Sequence, residues 1–282
     1  MKPKDQNHSE KHHWYTAEGK PCHEVPYRDP DKGMRPTTLR DARKLKLFPS
    51  VTTVIKPITD GKLKDWWGKQ IAMSALTLPE IEGESADDRY QRILADAGEH
   101  VREAAKEGTR IHAALEQALR REPYDDAYKP HVRPVLLALK ALREEISQNL
   151  PHTLRWEAET PLEPSMVGYG GRADLLLVDE DWIPNGKCWA VVDFKTKDFT
   201  PEEALKRGSK GLVYDEWAYQ LAGYAHGFGC DPSARWFSFV ISRSNPGCFF
   251  QHEWTDKKRF LECFLDLLSF WKNARDFYPE RL

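Results

Sequence analysis

The sequence predicts an α/β protein in which a sheet is flanked by helices and preceded by a helical N-terminal part. Three observations predict this. Residues 62–150 carry apolar positions at the helical period. From residue 152 the pattern changes to short apolar runs that alternate as strands do. A helical stretch at Tyr214–Gly227 divides those runs, and another at Phe260–Trp271 follows them. With 282 residues, 40% of them apolar and 30% charged, the chain has ample material for such a core.

In chain order, residues 1–12 read as a disordered polar tail. His8, His12 and the adjacent His13 are potential metal ligands, although a mobile tail accounts for them as well. A Glu18-Gly19 turn sets up a small hairpin over Trp14–Val25, and Asp29–Arg35 is a Pro/Gly loop. Thr38–Lys46 reads as a basic helix, and with Phe48–Ile58 it completes an N-terminal unit over 13–60. Lys62–Leu78 reads as a helix bearing Trp66 and Trp67. Ser85–Arg121 is the strongest helical stretch, with Ile93, Ala97, Val101, Ile111, Leu115 and Leu119 near the period. Gly108 marks a kink in it or a close approach. Val132–Leu150 is a further amphipathic helix ended by Pro151, so residues 61–151 form a helical region.

The remaining residues, 152–282, are expected to form the sheet-bearing core, with 61–282 as one structural unit. Thr153–Thr160 alternates, with Glu157 and Glu159 on one face and Trp156 on the other. Gly168–Gly171 is a flexible approach to the central hairpin. Thr200-Pro-Glu-Glu203 is a helix start with a capping box. Arg235–Ser242 and Cys248–Trp254 pair around Asn245-Pro-Gly.

Composition narrows the classes. No apolar run approaches the length of a membrane span, and the hydrophilic start is no export signal, so a cytoplasmic protein without membrane contact is expected. Five scattered cysteines (22, 188, 230, 248 and 263) suggest reduced thiols, not a disulfide framework, a zinc knuckle or an iron–sulfur cluster. The net charge of −2 does not announce a nucleic-acid binder. Its distribution is uneven, however: 35–69 holds nine basic residues against three acidic ones.

The chemistry concentrates in Gly170–Lys195. Two apolar runs, Ala173–Val178 and Cys188–Phe194, flank an acidic link that ends in Asn185-Gly186, a strong hairpin signal. Alternation puts Asp193 and Lys195 on one face with Trp189 and Val191. Folding the hairpin about Ile183/Pro184 sets Asp174 opposite Asp193 to within a residue or two. Two carboxylates and an ammonium group then converge at one strand edge. With the Phe194 carbonyl, the carboxylates suit a hard divalent ion that keeps several waters. Such an ion polarises a phosphodiester and acidifies water, and Lys195 offsets the extra negative charge.

The order of these residues resembles a known superfamily. Gly171–Asp174 (GxxD), Val191–Lys195 (VVDFK) and Gln220–Tyr224 (QLAGY) resemble the PD-(D/E)xK nucleases. Gly108–Glu116 (GTRIHAALE) resembles the GxxxHxxxE motif of the RecB-like exonuclease branch. Pro49–Ile55 (PSVTTVI) is similar to a segment of phage and mitochondrial genome-maintenance exonucleases of that branch. The motifs span Pro49–Tyr224 in the family's order.

The resemblance implies a restriction-endonuclease-like core, a central mixed sheet flanked by helices. It implies a Mg²⁺- or Mn²⁺-dependent exonuclease acting on DNA, preferably single-stranded ends, in recombination, repair or phage DNA processing. The implied metal site is His112, Asp174, Asp193 and the Phe194 carbonyl, with Lys195 catalytic. Gln220 and Tyr224 would support the site or contact DNA. Glu116 should lie close by, and Glu157 or Glu159 should match the family's acidic strand residue. Asp193 stands where many members carry Glu, but Asp is common in the RecB-like branch. The cysteines that anchor a cluster in some relatives are missing.

The basic segment offers a path for DNA. Ser50, Thr52, Thr53, Lys56, Lys62, Lys64 and Trp66 are candidates for phosphate contact and base stacking, with Arg172, Thr196 and Lys197 beside the motif. The alternative is that Val51, Val54 and Ile55 pack while the hydroxyls cap a helix. Three other functions compete: a structure-specific endonuclease of the same fold, a non-catalytic DNA-binding member, and a hydrolase of small phosphoesters. Retention of Asp174, Asp193 and Lys195 together disfavours the non-catalytic reading.

Overall fold

The computed structural model describes residues 13–148, 150, 153–164, 167–182, 186–208 and 211–281. The expected tail at 1–12 and the centre of the hairpin turn at 183–185 lie outside them. Four short strands open the described chain: β1 (Trp14–Tyr15), β2 (Glu24–Pro26), β3 (Met34–Pro36) and β4 (Phe48–Pro49). The Glu18-Gly19 turn forms, with Gly19 at φ +73°, a conformation that favours glycine. The hairpin expected over Trp14–Val25 forms at its inner end, where Tyr15 bridges Pro21 and the Thr16 and Cys22 amides donate to Lys20 O and Trp14 O, each at 2.8 Å, while the longer ladders pair other strands. β1 pairs with β4, and β2 pairs with β3. Trp14 is fully buried against Trp271 and Phe277, each with its ring centroid 6.0 Å away, and this anchors β1 on the C-terminal side of the fold.

α1 (Leu39–Leu45) lies between β3 and β4, and three longer helices follow: α2 (Val51–Thr77), α3 (Ala86–Leu119) and α4 (Lys129–Ser147). Thr38, Ser50 and Ser85 cap the first three through their hydroxyls. α2 runs through Pro57 and joins two segments that read separately in the sequence. Pro57, in the second turn, removes one ladder donor and crowds the carbonyl four residues back, and burial of Val51, Val54 and Ile55 holds that turn in place.

The main sheet contains β5 (Leu154–Leu162), β6 (Gly171–Asp179), β7 (Cys188–Lys197), β8 (Arg235–Ser242) and β9 (Phe249–Trp254), in that spatial order. It is mixed. β7 and β8 are parallel, and the other neighbours are antiparallel. Parallel neighbours need a crossover, here α5 (Pro201–Arg207) and α6 (Asp215–Gly227); α7 (Lys257–Arg275) follows β9. Leu175, Leu177, Val192, Phe237 and Phe239 pack with Ile111 and Leu115 of α3 and Val135 and Leu139 of α4. Leu176, Val178 and Val191 pack on the other side with α2, α6 and α7, among them Val54, Leu221 and Phe264. The molecule is therefore a three-layer α/β/α arrangement. Trp189 departs from the expected alternation: it packs against the α3/α4 side while Val191 faces α6. A register shift between Leu177 and Val178 accounts for this.

Two close approaches lock the layers, one between a helix and the sheet and one among helices. A Cβ at Gly108 would lie 2.6 Å from Thr196 Oγ1, so glycine lets α3 touch β7. Of the two readings of Gly108, the close approach is the one formed, within a helix that runs unbroken over 34 residues. Among the described residues no helix is long and apolar enough to cross a membrane, and all five cysteines are free thiols.

Gly223 tests the second approach. A Cβ there would lie 2.8 Å from ring carbons of Phe264 and 2.8 Å from Val51 Cγ1. Alanine gains about 1 kcal/mol of helix propensity, but overpacking costs about 1–3 kcal/mol. Gly223→Ala should therefore lower Tm by about 3 °C. An unchanged or raised Tm would show that α2, α6 and α7 have slack.

Candidate functional site

The site arises where β6 and β7 part. Their ladder runs through Leu175↔Val192, and one step further the same register sets Asp174 across from Asp193. There the backbone ladder is replaced: Asp174 Oδ2 accepts from the Phe194 amide at 2.7 Å. On the other side, the β5–β6 register passes from Ala158↔Leu175 to Thr160↔Ala173 and leaves Glu159 opposite Asp174. Glu159 sits at φ +53°, a left-handed conformation costly for a side chain with a Cβ. Of the two candidate strand acids, Glu159 is thus the one beside the site. Glu157 lies opposite Leu176 and pairs with Arg155 instead.

Asp193 is only 1% exposed. Its Oδ1 accepts from Lys195 Nζ at 2.7 Å, while Oδ2 is buried with no hydrogen-bond partner among the described residues. Lys195 Nζ also donates to Gln220 Oε1 at 3.0 Å. Tyr224, one helical turn on, is buried and abuts Gly171, where a Cβ would lie 2.7 Å from its ring. The glycine of the GxxD turn therefore makes room for the tyrosine. The ring of His112 on α3 stands edge-on to that of Phe194, with centroids 6.2 Å apart.

Burial sets the electrostatics. It raises the Asp193 carboxyl to about 6, with Asp174 adding to the rise and Lys195 opposing it. Asp174 keeps part of its surface at the opening, yet burial among apolar walls raises its carboxyl too, against the pull of Lys195 and the Phe194 amide. Glu159 is pushed up to about 7 by burial, then by Asp174 and Glu116, with Arg172 opposing. Burial and the Lys195 charge lower His112 to about 4, which leaves a neutral imidazole at pH 7. Burial and the nearby Asp174 raise the Tyr224 phenol. Glu116 is felt by both Asp174 and Glu159, although its own ion pair is with Arg120 at 2.9 Å.

The other candidates are placed unevenly. Ser50 and Thr53 are buried; the Ser50 hydroxyl accepts from the Thr53 amide at 2.9 Å, and the Ser50 and Val51 amides donate to His13 O and Gly170 O. Those groups are spent on the helix cap and the β1 contact, while Thr52 remains exposed. Lys56 and Lys64 lie on α2, and the side chain of Lys62 lies outside the described residues. Trp66 and Trp67 are half-buried. Thr196 abuts Gly108. Lys197 is bound inward, donating to Gly211 O, Leu212 O and the Tyr214 hydroxyl at 3.0, 3.3 and 2.8 Å. Arg172 pairs with Glu159 at 3.6 Å. Two neighbours had no signal in the sequence. Trp217 has the Lys195 ammonium 5.9 Å from its ring centroid, and Tyr15 senses both Arg172 and Glu159. Only tertiary contacts bring them in.

Among the described residues no three His, Cys, Asp or Glu side chains already converge as an ion site. No family model matches the chain, and no curated protein matches it. A solved structure titled "Crystal structure of SSO0001" aligns over 74% of this chain and 86% of its own, at 15% identity and a TM-score of 0.24. A likeness at that level carries no argument.

The raised Asp193 pKa has a signed consequence. The folded state favours the protonated carboxyl, so its stabilising effect is present below about pH 4 and is lost as pH rises through about 6. Asp193→Asn lacks this titration. Relative to the wild type without divalent ions, it should gain up to about 3 kcal/mol between pH 4 and 7. Melts at both pH values check this; a constant difference would mean that Asp193 is ionised throughout.

Proposed function

We propose that this chain is a divalent-metal-dependent nuclease degrading DNA from single-stranded ends, built on a PD-(D/E)xK-like core. One observation carries the reading: the Asp193 carboxylate has one oxygen on Lys195 and the other buried without a partner among the described residues, across from Asp174. Mg²⁺ is commonly held by one or two carboxylates and keeps several waters, so a third preassembled ligand is not required. An orphaned buried oxygen beside a second carboxylate fits such an ion.

Asp174, Asp193 and the Phe194 carbonyl would hold the ion, with His112 at the rim. When bound, it supplies Lewis acidity toward a phosphoryl oxygen and acidifies water. The chain's own residues do the rest. Gln220 holds the Lys195 ammonium, which offsets negative charge as it builds on the phosphate. Glu159, near neutrality, takes a proton at its carboxyl without a large energetic mismatch. Tyr224 and Gly171 fill the space behind Asp174 and exclude water. Lys56 and Lys64 on α2 supply sequence-independent phosphate contacts, and Trp66 a face on which bases stack.

Digestion of end-labelled linear and circular DNA, single- and double-stranded, with Mg²⁺ or Mn²⁺ tests the proposal. Linear single strands should be shortened from an end, while circles resist; rapid cutting of circles would make the enzyme an endonuclease. Asp193→Asn should remove cleavage, and full activity in that variant would overturn the site. Lys195→Ala should lower turnover about 10²- to 10³-fold while calorimetry still detects Mn²⁺ binding, because an ammonium is no ligand for a cation.

His112→Ala should lose more Mn²⁺-supported than Mg²⁺-supported activity, since borderline ions accept nitrogen more readily. Equal losses would make His112 a packing residue. Metal affinity should also fall as pH drops through about 6, where Asp193 gains its proton. A calorimetric titration between pH 5 and 8 reads this directly, and a flat profile would remove Asp193 from the ligand set.

A further inference from the structure

The first described segment of the chain, 13–23, lies at the mouth of the site, and its chemistry is not used above. Ser50 donates its amide to His13 O, Gly170 donates to Pro49 O, and the Tyr15 side chain abuts Gly170, where a Cβ would lie 2.8 Å from Tyr15 Cβ. Arg172 follows two residues later and pairs with Glu159 at 3.6 Å. The imidazoles of His13 and His23 stack with centroids 4.6 Å apart, and the Tyr15 ring meets His23 edge-on at 5.2 Å. His13, His23 and Tyr15 thus stack as one wall, and the charge of Arg172, paired with Glu159, reaches both His23 and Tyr15.

The wall carries two sets of donors. The Trp14 amide donates to His23 Nδ1 at 3.1 Å, so the neutral ring carries its proton on Nε2 and presents a donor there. Arg172, 44% exposed at its side chain, adds a forked set of donors suited to a planar or tetrahedral oxyanion. The charge of Arg172 also reaches His23, where with burial and His13 it holds the imidazole below its usual range. An anion between these groups would relieve that repulsion. Glu24 and Glu159 are the acids that oppose it.

We propose that His13, His23 and Arg172 form an oxyanion subsite for a phosphate monoester, the terminal phosphate of the strand entering the carboxylate site. This rests on the nuclease reading for the identity of the strand, and on the wall alone for the phosphate chemistry. A single charge-assisted hydrogen bond made to a phosphorylated end and absent from a hydroxyl end corresponds to a preference of about 10-fold or more.

The test uses the full chain and three single strands of one sequence: 5′-phosphorylated, 3′-phosphorylated, and hydroxyl at both ends. One phosphorylated strand should be degraded about 10-fold faster than the hydroxyl-ended strand. His23→Asn keeps an acceptor for the Trp14 amide through its Oδ1 but removes the Nε2 donor, and should bring that ratio close to one. Arg172→Gln should do the same. Equal rates on all three strands overturn the assignment to a strand end while leaving the nuclease reading intact.

A second measurement does not depend on cleavage. Inorganic phosphate titrated into the wild type should shift the ring C–H resonances of His13 and His23, and should shift them less in Arg172→Gln. No shift overturns the subsite. A shift without any end preference assigns the wall to free phosphate and overturns the strand-end proposal. Cleavage of none of the strands overturns the nuclease reading, and the phosphate titration then decides the subsite by itself.

Discussion

The site depends on one substitution of a side chain for a backbone group. At Asp174 the β6–β7 ladder stops, and a carboxylate oxygen takes the Phe194 amide that a carbonyl would otherwise receive. This satisfies a buried donor while letting the strands diverge. Divergence creates the space that Asp193, Lys195 and Glu159 share. The same bond fixes Asp174 against β7, so the two aspartates are held by main chain and not by flexible linkers. Tyr224 closes the gap from α6 only because Gly171 has no Cβ.

Carboxylates gathered in this way repel one another and dislike burial, and the fold offsets this with very little. Lys195 answers Asp193, Arg172 answers Glu159, and α3 contributes an imidazole held neutral. The remaining cost appears as raised carboxyl pKa values. Such shifts are commoner at functional sites than elsewhere, though structural ion-pair networks produce them too. The left-handed backbone at Glu159 is a second cost at the same spot.

Much of this was legible in the sequence. The pairing of Asp174 with Asp193 follows from counting residues about Ile183/Pro184, because a register is fixed by the midpoint of a hairpin. The caps at Thr38, Ser85 and Thr200 follow from side-chain chemistry that acts within four residues. What failed was not local. The choice between Glu157 and Glu159 turned on pairing with β6, and the orientation of Trp189 on a register shift with no signature of its own. Ser50 and Thr53 read equally well as phosphate ligands or caps, and only the position of β1 against their amides decides between the two. The joining of α2 across Pro57 needed the packing of Val51, Val54 and Ile55.

The contact between Trp14, Trp271 and Phe277 bears on how the protein is made. These residues are separated by most of the chain, so their closure entropy falls due late in folding. β1 lies beside β4 and Gly170, with Trp14 covered by α7. During synthesis the strands bearing Asp174 and Asp193 emerge well before α7. For that interval the nascent chain exposes one apolar face of the sheet and lacks the wall formed by residues 13–23. The mouth of the site thus rests on a pairing between the two ends of the described chain, the kind of contact that carries the largest closure entropy.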